Sequence, residues 1–303
     1  MTSPLSYFDP TRPLVRITLS QLWSPTMLYI PPSEIERLLM GDYPLHDPTT
    51  LGLDLKASGE ITAYFKTPGV LAGSVIAQKL FEATGCEVDR RVEDGMALEA
   101  KQTIMKVNGS ARALHGAYKV AQCVMEYASG IATRTAAIVS AAREVNPKIQ
   151  VAGTRKHMPG SKLISLTGLL AGGGIIHRAN LSDSILVFDQ HRVLASDVDG
   201  AMRRLIDQEP ERKVAVEVSD FEEACHFARL GVGIVQCERF EPSLLTQTVA
   251  ALKAINPQIV INAAGGVNAE NAKDYASSGA DVLVTSWPYF GKPHDVKMAF
   301  SLG

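Results

Sequence analysis

The chain has 303 residues, 46% of them hydrophobic and 20% charged, which describes a folded protein of one large or two modest domains and excludes a disordered one. Thirty Lys and Arg against 32 Asp and Glu leave a formal net charge of -2, so the surface as a whole is not built for nucleic acid or anionic membrane. Cys86, Cys123, Cys225 and Cys237 are scattered without a CxxC pair or a zinc spacing, as in a reduced protein. No basic-then-apolar leader opens the sequence, and the most apolar stretch, 163–176, is too short and too rich in glycine to span a bilayer. The expectation is a cytoplasmic protein with neither membrane nor nucleic acid as partner.

In chain order, the prolines among the first 30 residues predict an irregular arm. A helix follows over 33–40, with Ser33 and Glu36 spaced as a capping box. Ile61, Ala63 and Phe65 alternate with polar neighbours as in a strand, and 74–83 has helical spacing. Residues 112–143, alanine-rich and free of proline, predict one or two long helices. The rhythm then changes. Short apolar runs at 149–153, 185–188, 213–218, 233–237, 258–262 and 281–285 alternate with helix-length segments such as 196–208, 219–229, 242–254 and 268–278. Repeated βα units imply a parallel sheet, and six or more of them with polar residues after the strands point to a barrel-like α/β fold; no GxGxxG follows a strand, which leaves a dinucleotide fold little support. In such barrels chemistry sits at the C-terminal strand ends.

Those ends carry a constellation. Thr154-Arg155-Lys156-His157 follows the first run, Gly172-Gly173-Gly174 leads to His177-Arg178, and Phe188 precedes Asp189-Gln190-His191. Glu217 lies within the third run, Glu238-Arg239 ends the fourth, and Ala264-Gly265-Gly266 follows the fifth. From Val145 to Ser182 there is no Asp or Glu, yet Lys148, Arg155, Lys156, Lys162 and Arg178 fall inside. Either this is a solvated basic face, or it binds a small polyanion through arginine forks, and the placement at strand ends favours a site. Gly265-Gly266, before a helix expected near Asn268, is either a phosphate cradle or a turn made of glycine for its geometry. The glycine triplet is open between a tight backbone approach and a flexible turn. Glu217, flanked by valines, either pairs with a lysine or joins Glu238 in holding Mg²⁺ together with substrate phosphates.

Taken together, Ser129-Gly130-Ile131-Ala132-Thr133, Thr154-Arg155-Lys156 with Pro159-Gly160, the GGG–x–x–His177-Arg178 run, Asp189-x-His191, Glu217 and Ala264-Gly265-Gly266 resemble, in order and spacing, the quinolinate phosphoribosyltransferase family. Asp47-Pro48-Thr49-Thr50 and Glu93-Asp94-Gly95 are similar to that family's N-terminal motifs. The resemblance implies an N-terminal arm and α/β sandwich domain over 1–128, and an open, TIM-like α/β barrel over 129–303 whose tail, 290–303, returns to the first domain. It implies transfer of phosphoribosyl from phosphoribosyl pyrophosphate to a nitrogen of an aromatic acid, with Mg²⁺ and release of pyrophosphate. Arg155, Lys156, His177 and Arg178 would bind substrate, with Lys156 also catalytic. Glu217 and Glu238 would serve ribose and metal, and Ala264, Gly265, Gly266 and Ser286 would hold the 5′-phosphate. Lys119 would reach a neighbouring subunit's site, which implies a homodimer or larger homo-oligomer.

Several positions depart from that family's pattern. Lys119 and Lys162 stand where it has arginine, Phe188 where it has lysine, and Glu238 and Gly153 where it has aspartate. Ala264 replaces serine and Ser286 replaces glycine. Lys119, Phe188 and Thr285-Ser286-Trp287-Pro288-Tyr289-Phe290 are similar instead to the ModD branch, pyrophosphorylase-like proteins associated with molybdate transport, which implies a link to molybdenum metabolism. Phe188 removes a cation and Lys119 a bidentate fork, so the base is expected to differ from quinolinate. Quinolinate conversion within NAD biosynthesis, and an anion- or pterin-binding protein without catalysis, are the alternatives.

Overall fold

The computed structural model describes residues 28–303, so the irregular arm expected over the first 30 residues lies almost wholly outside the described part. Helix α1 (Pro32–Met40) and the short α2 (Pro48–Gly52) come first. Strands β1 (Ser58–Phe65) and β2 (Gly69–Val70), helix α3 (Ser74–Ala83), and strands β3 (Glu87–Arg91), β4 (Ala97–Leu98) and β5 (Thr103–Ser110) follow. The expected capping box on α1 does not form. Pro31 is the cap and Pro32 the first helical residue, where proline has no N–H to satisfy, and Glu34 pairs with Arg37 instead. Asp47 caps α2 by accepting the Thr49 N–H at 2.9 Å, and the Thr50 hydroxyl, its strongest partner, holds this carboxyl below the usual range. Asp94 accepts the N–H groups of Gly73 and Ser74, each at 2.9 Å, and so caps α3 from outside the helix.

Helix α4 (Ala111–Arg143) is one unbroken element of 33 residues, capped by Ser110, whose hydroxyl accepts the Ala113 N–H. At 1.5 Å per residue it is about 50 Å long. Its first half (Leu114, Ala117, Ala121, Val124, Met125) is buried in a core with β1, β5 and α3. Its last turns (Ile138, Val139, Ala142) are buried in a second core with the strands described next.

Those strands are β6 (Gln150–Gly153), β7 (Ile175–Ile176), β8 (Ile185–Val187), β9 (Val214–Val218), β10 (Ile234–Glu238), β11 (Val260–Ala264) and β12 (Val282–Thr285). Helices α5 (Lys162–Ala171), α6 (Asp189–Arg192), α7 (Val198–Gln208), α8 (Phe221–Leu230), α9 (Pro242–Ile255) and α10 (Ala272–Ser277) are interleaved with them. They form a seven-stranded parallel sheet in the order β7-β6-β12-β11-β10-β9-β8. β7 and β8 are neighbours in the chain but sit at opposite edges, so the barrel is open between them. The open α/β barrel expected from the sequence is the fold observed, with β7 as a strand the apolar runs did not announce. After β12, strand β13 (Val296–Leu302) returns to pair antiparallel with β1, completing a four-stranded sheet β13-β1-β5-β3.

The glycine triplet resolves as close packing. A Cβ on Gly168 would meet Ala128 O at 2.5 Å, and one on Gly172 would overlap Ala132 O and the Thr135 side chain. Gly174 is closed in by Leu169 and Thr135, and Gly173 takes φ +83°. These residues let α5 lie directly on α4 and turn the chain into β7. Gly172→Ala is therefore expected to destabilise the fold by about 1–3 kcal/mol through overpacking, read as a lower denaturation midpoint in urea with an unchanged slope.

Candidate active site

At the C-terminal ends of the barrel strands lies a cleft of about 660 Å³. It gathers Arg155 and Lys156 after β6, His177 and Arg178 after β7, Phe188 after β8, Glu217 of β9 and Glu238 of β10. Ala264, Gly265 and Gly266 at the end of β11 and Ser286 after β12 complete it. Of the five cations between Val145 and Ser182, Arg155, Lys156 and Arg178 line the cleft, whereas Lys148 and Lys162 do not. His157 also lies off the cleft, its ring set edge-on to Tyr289.

Lys119 is placed elsewhere. It stands on α4 beside a separate cleft shared with Asp42, His46 and Asp47, its ammonium 3.0 Å from Gln122 Oε1 and above the Tyr118 ring. Within one chain it does not meet the other predicted residues.

The two carboxylates differ in their surroundings. Glu217 accepts a 2.7 Å hydrogen bond from Gln236 Nε2, and no lysine or arginine nitrogen pairs with it among the described residues. Of the two readings left open for Glu217, the lysine pair is thus the one not found. Burial, and then the Glu217 charge, push the Glu238 carboxyl above the usual range, against the pull of Lys156 and Arg239. Arg239, missed as a site residue, lines the same cleft with φ +57° and its Nε 3.6 Å from Glu238 Oε1.

Burial foremost, and the adjacent Arg178 charge second, hold the His177 imidazole below its ordinary value, so it is neutral at pH 7. The Asn262 amide faces its Nε2 at 3.3 Å. Arg178 is 9% exposed and donates through Nη2 to Leu181 O, while its buried Nε has no acceptor. Phe188 is oriented by His191: the Phe188 N–H donates to His191 Nδ1 at 3.0 Å, and the rings stack at 5.8 Å.

The glycine turn is held from the next strand. Gly265 and Gly266 take φ +85° and +83°, and a Cβ on Gly265 would lie 2.7 Å from Glu238 Oε1. The Thr285 hydroxyl donates to Val267 O at 2.6 Å and accepts the Trp287 N–H, tying this turn to the segment after β12. Helix α10 begins only at Ala272, because Asn268 turns the chain by accepting the N–H groups of Glu270 and Asn271. The helix expected to start near Asn268 does not abut the glycines, so any anion there would meet turn backbone. Gly153, where aspartate was noted as the family's residue, has its Cβ space filled by the Tyr289 hydroxyl and Leu169.

Gln236 also lines the cleft and was not singled out from sequence, while Trp287 and Phe290, read there only within the ModD-like run and given no site role, line it too. For Gln236 a signal existed, since it lies two residues before Glu238 and shares its strand face.

Two outcomes follow. Glu217→Gln removes a like charge and should lower the Glu238 pKa, as followed by carboxyl carbon resonances across pH, leaving the part due to burial. Because His177 is depressed in the folded state, its contribution to stability is present above its unfolded pKa of about 6.5 and lost as pH falls through the lower folded value. Melting temperatures of the wild type and His177→Gln between pH 8 and pH 5 should show the wild type losing more on acidification.

A sequence profile described as the quinolinate phosphoribosyl transferase C-terminal domain matches residues 131–299, and that of the N-terminal domain matches 47–129. The ModD protein of Pasteurella multocida is 36% identical over 276 residues, covering 90% of this chain and 98% of its own. The carboxylating nicotinate-nucleotide pyrophosphorylase of Homo sapiens is 35% identical over 219 residues, covering 72% of this chain and 74% of its own. Among solved structures, NadC from Streptococcus pyogenes has the same fold, with a TM-score of 0.83 at 24% identity over 91% of this chain and 99% of that one. Among the described residues no helix is long and apolar enough to cross a membrane. With both domain profiles matched along most of its length, the chain belongs to the quinolinate phosphoribosyltransferase family of pentosyltransferase enzymes.

Proposed function

We propose that the cleft transfers phosphoribosyl from phosphoribosyl pyrophosphate to a ring nitrogen of an acidic heteroaromatic base. The nitrogen lone pair forms the bond to C1 as the C1–O bond breaks, and that electron pair leaves with pyrophosphate. The observation that carries this reading is the meeting of Arg155, Lys156 and Arg178 with Glu217 and Glu238 around one opening at the strand ends. Cations suit the pyrophosphate and the base carboxylate, and carboxylates suit the positive charge that develops at C1.

In this reading Lys156 neutralises charge on the departing pyrophosphate, while Arg155, Arg178 and neutral His177 hold the base. Glu217 and Glu238 face the ribose. Ala264, Gly265, Gly266 and Ser286 hold the 5′-phosphate through backbone groups and one hydroxyl. The carboxylates of Glu217 and Glu238 in one cleft fit Mg²⁺, which takes one or two carboxylates and completes its shell with substrate phosphates and water. When bound there, Mg²⁺ screens the pyrophosphate charge.

Phe188 lines the cleft where the resembling family has lysine, and supports a base other than quinolinate. Lys119, remote from its own chain's cleft, supports a homodimer in which it completes the neighbouring site. The identity with a ModD protein keeps the molybdenum link implied by the sequence resemblance as part of this reading.

The 303-residue protein, given phosphoribosyl pyrophosphate, Mg²⁺ and a panel of heteroaromatic acids, should release pyrophosphate with at least one of them. Glu217→Gln and Lys156→Ala should each slow that release by about 100-fold or more. No release across the panel would overturn the reading. Lys119→Ala should lower activity without changing the melting temperature, and mixing it with Glu217→Gln should restore part of the activity if sites are shared. Mixtures no more active than either variant would overturn the shared site.

A further inference from the structure

Parallel pairing sets Glu217, Gln236 and Asn262 side by side on β9, β10 and β11. Gln236 and Asn262 are 4% and 3% exposed. The Gln236 amide has a fixed sense, because the carboxylate at Glu217 Oε2 accepts and so takes the amide nitrogen. Asn262 directs its nitrogen to His177 Nε2. Each amide nitrogen thus faces one neighbour, and neither carbonyl oxygen, Gln236 Oε1 or Asn262 Oδ1, has a partner. A buried acceptor without a donor costs folding free energy that a ligand can return. Gln236 lines the cleft, and so does Arg178, whose buried Nε lacks an acceptor.

Resting on the phosphoribosyl-transfer reading of this cleft, we propose that Gln236 is a specificity residue whose side-chain oxygen accepts an N–H from the base. The substrate class is then a heteroaromatic acid that carries, apart from the ring nitrogen that attacks, an amino group or a lactam N–H as well as its carboxylate. A carboxylate answers the free donor on Arg178, and the N–H answers the free acceptor on Gln236. A simple pyridine dicarboxylate offers acceptors only and leaves Gln236 Oε1 unpaired. A cation shared with Glu217 and Glu238 is the poorer match for that oxygen, since the amide turns its nitrogen, not its oxygen, toward Glu217.

The test is a ratio. Binding of pyridine-3-carboxylate, its 2-amino and 6-amino derivatives and its 6-oxo lactam form to the whole protein is measured by calorimetry without phosphoribosyl pyrophosphate. At least one N–H-bearing acid should bind about tenfold or more tighter than the parent acid. In Gln236→Met that preference, measured as a ratio within the variant, should collapse toward one. Equal or tighter binding of the parent acid by the wild type would overturn the proposal, as would a preference that survives Gln236→Met. A wild-type ratio of one would mean that the two amides satisfy each other with Asn262 turned over, and the wild-type panel decides this even if the variant fails to fold. Pyrophosphate release separates the two readings. Selective binding of the N–H-bearing acids with no release keeps this proposal's recognition and overturns transfer, whereas release that favours the parent acid keeps transfer and overturns this proposal.

Discussion

The contact between α4 and α5 governs much of this structure. Where they cross, Gly168 and Gly172 put backbone against Ala128, Ala132 and Thr135, and no methyl group fits between. That approach seats α5 on the long helix, and the turn after α5 sends the chain into β7, one edge of the open barrel. His177 and Arg178 leave that edge for the cleft. Helix α4 meanwhile contributes to both cores, so the position of this edge is referred to a single rigid rod.

The electrostatics of the cleft follow from the same economy of placement. Strand C-terminal ends deliver cations from β6 and β7 on one side and carboxylates from β9 and β10 on the other. Half-burial and the proximity of Glu217 raise Glu238, while burial beside Arg178 keeps His177 neutral. A chain of near-zero net charge can therefore present a strongly polar, locally balanced pocket, in which a phosphorylated ligand meets cations without having to displace their partners.

Much of this was legible in the sequence. The apolar runs marked six of the seven barrel strands because a parallel sheet buries both faces, and an acid-free stretch marked the cations. What stayed hidden depended on register or on contacts distant in sequence. β7 is two residues long beside a glycine triplet, too short for any period to show. Lys148 and Lys162 belong to the same basic stretch as Arg155, but Lys148 precedes β6 at its far end, and Lys162, though it follows the strand, opens α5 outside the cleft. Gln236 and Asn262 look like interruptions in apolar strands until pairing sets them beside Glu217. The capping box on α1 does not form because the helix starts one residue earlier than expected, at Pro32, which puts Ser33 inside its first turn.

The return of β13 to β1 constrains how this protein can be made. β1 is an inner strand of its sheet, flanked by β5 and β13, and the whole barrel separates those two neighbours in the chain. As the polypeptide emerges from the ribosome, one edge of β1 therefore stays without its hydrogen-bonding partner until every barrel strand has been synthesised. An unpaired edge is where a chain recruits the wrong strand. The two halves cannot mature as beads on a string; the first is sealed by the last strand of the second.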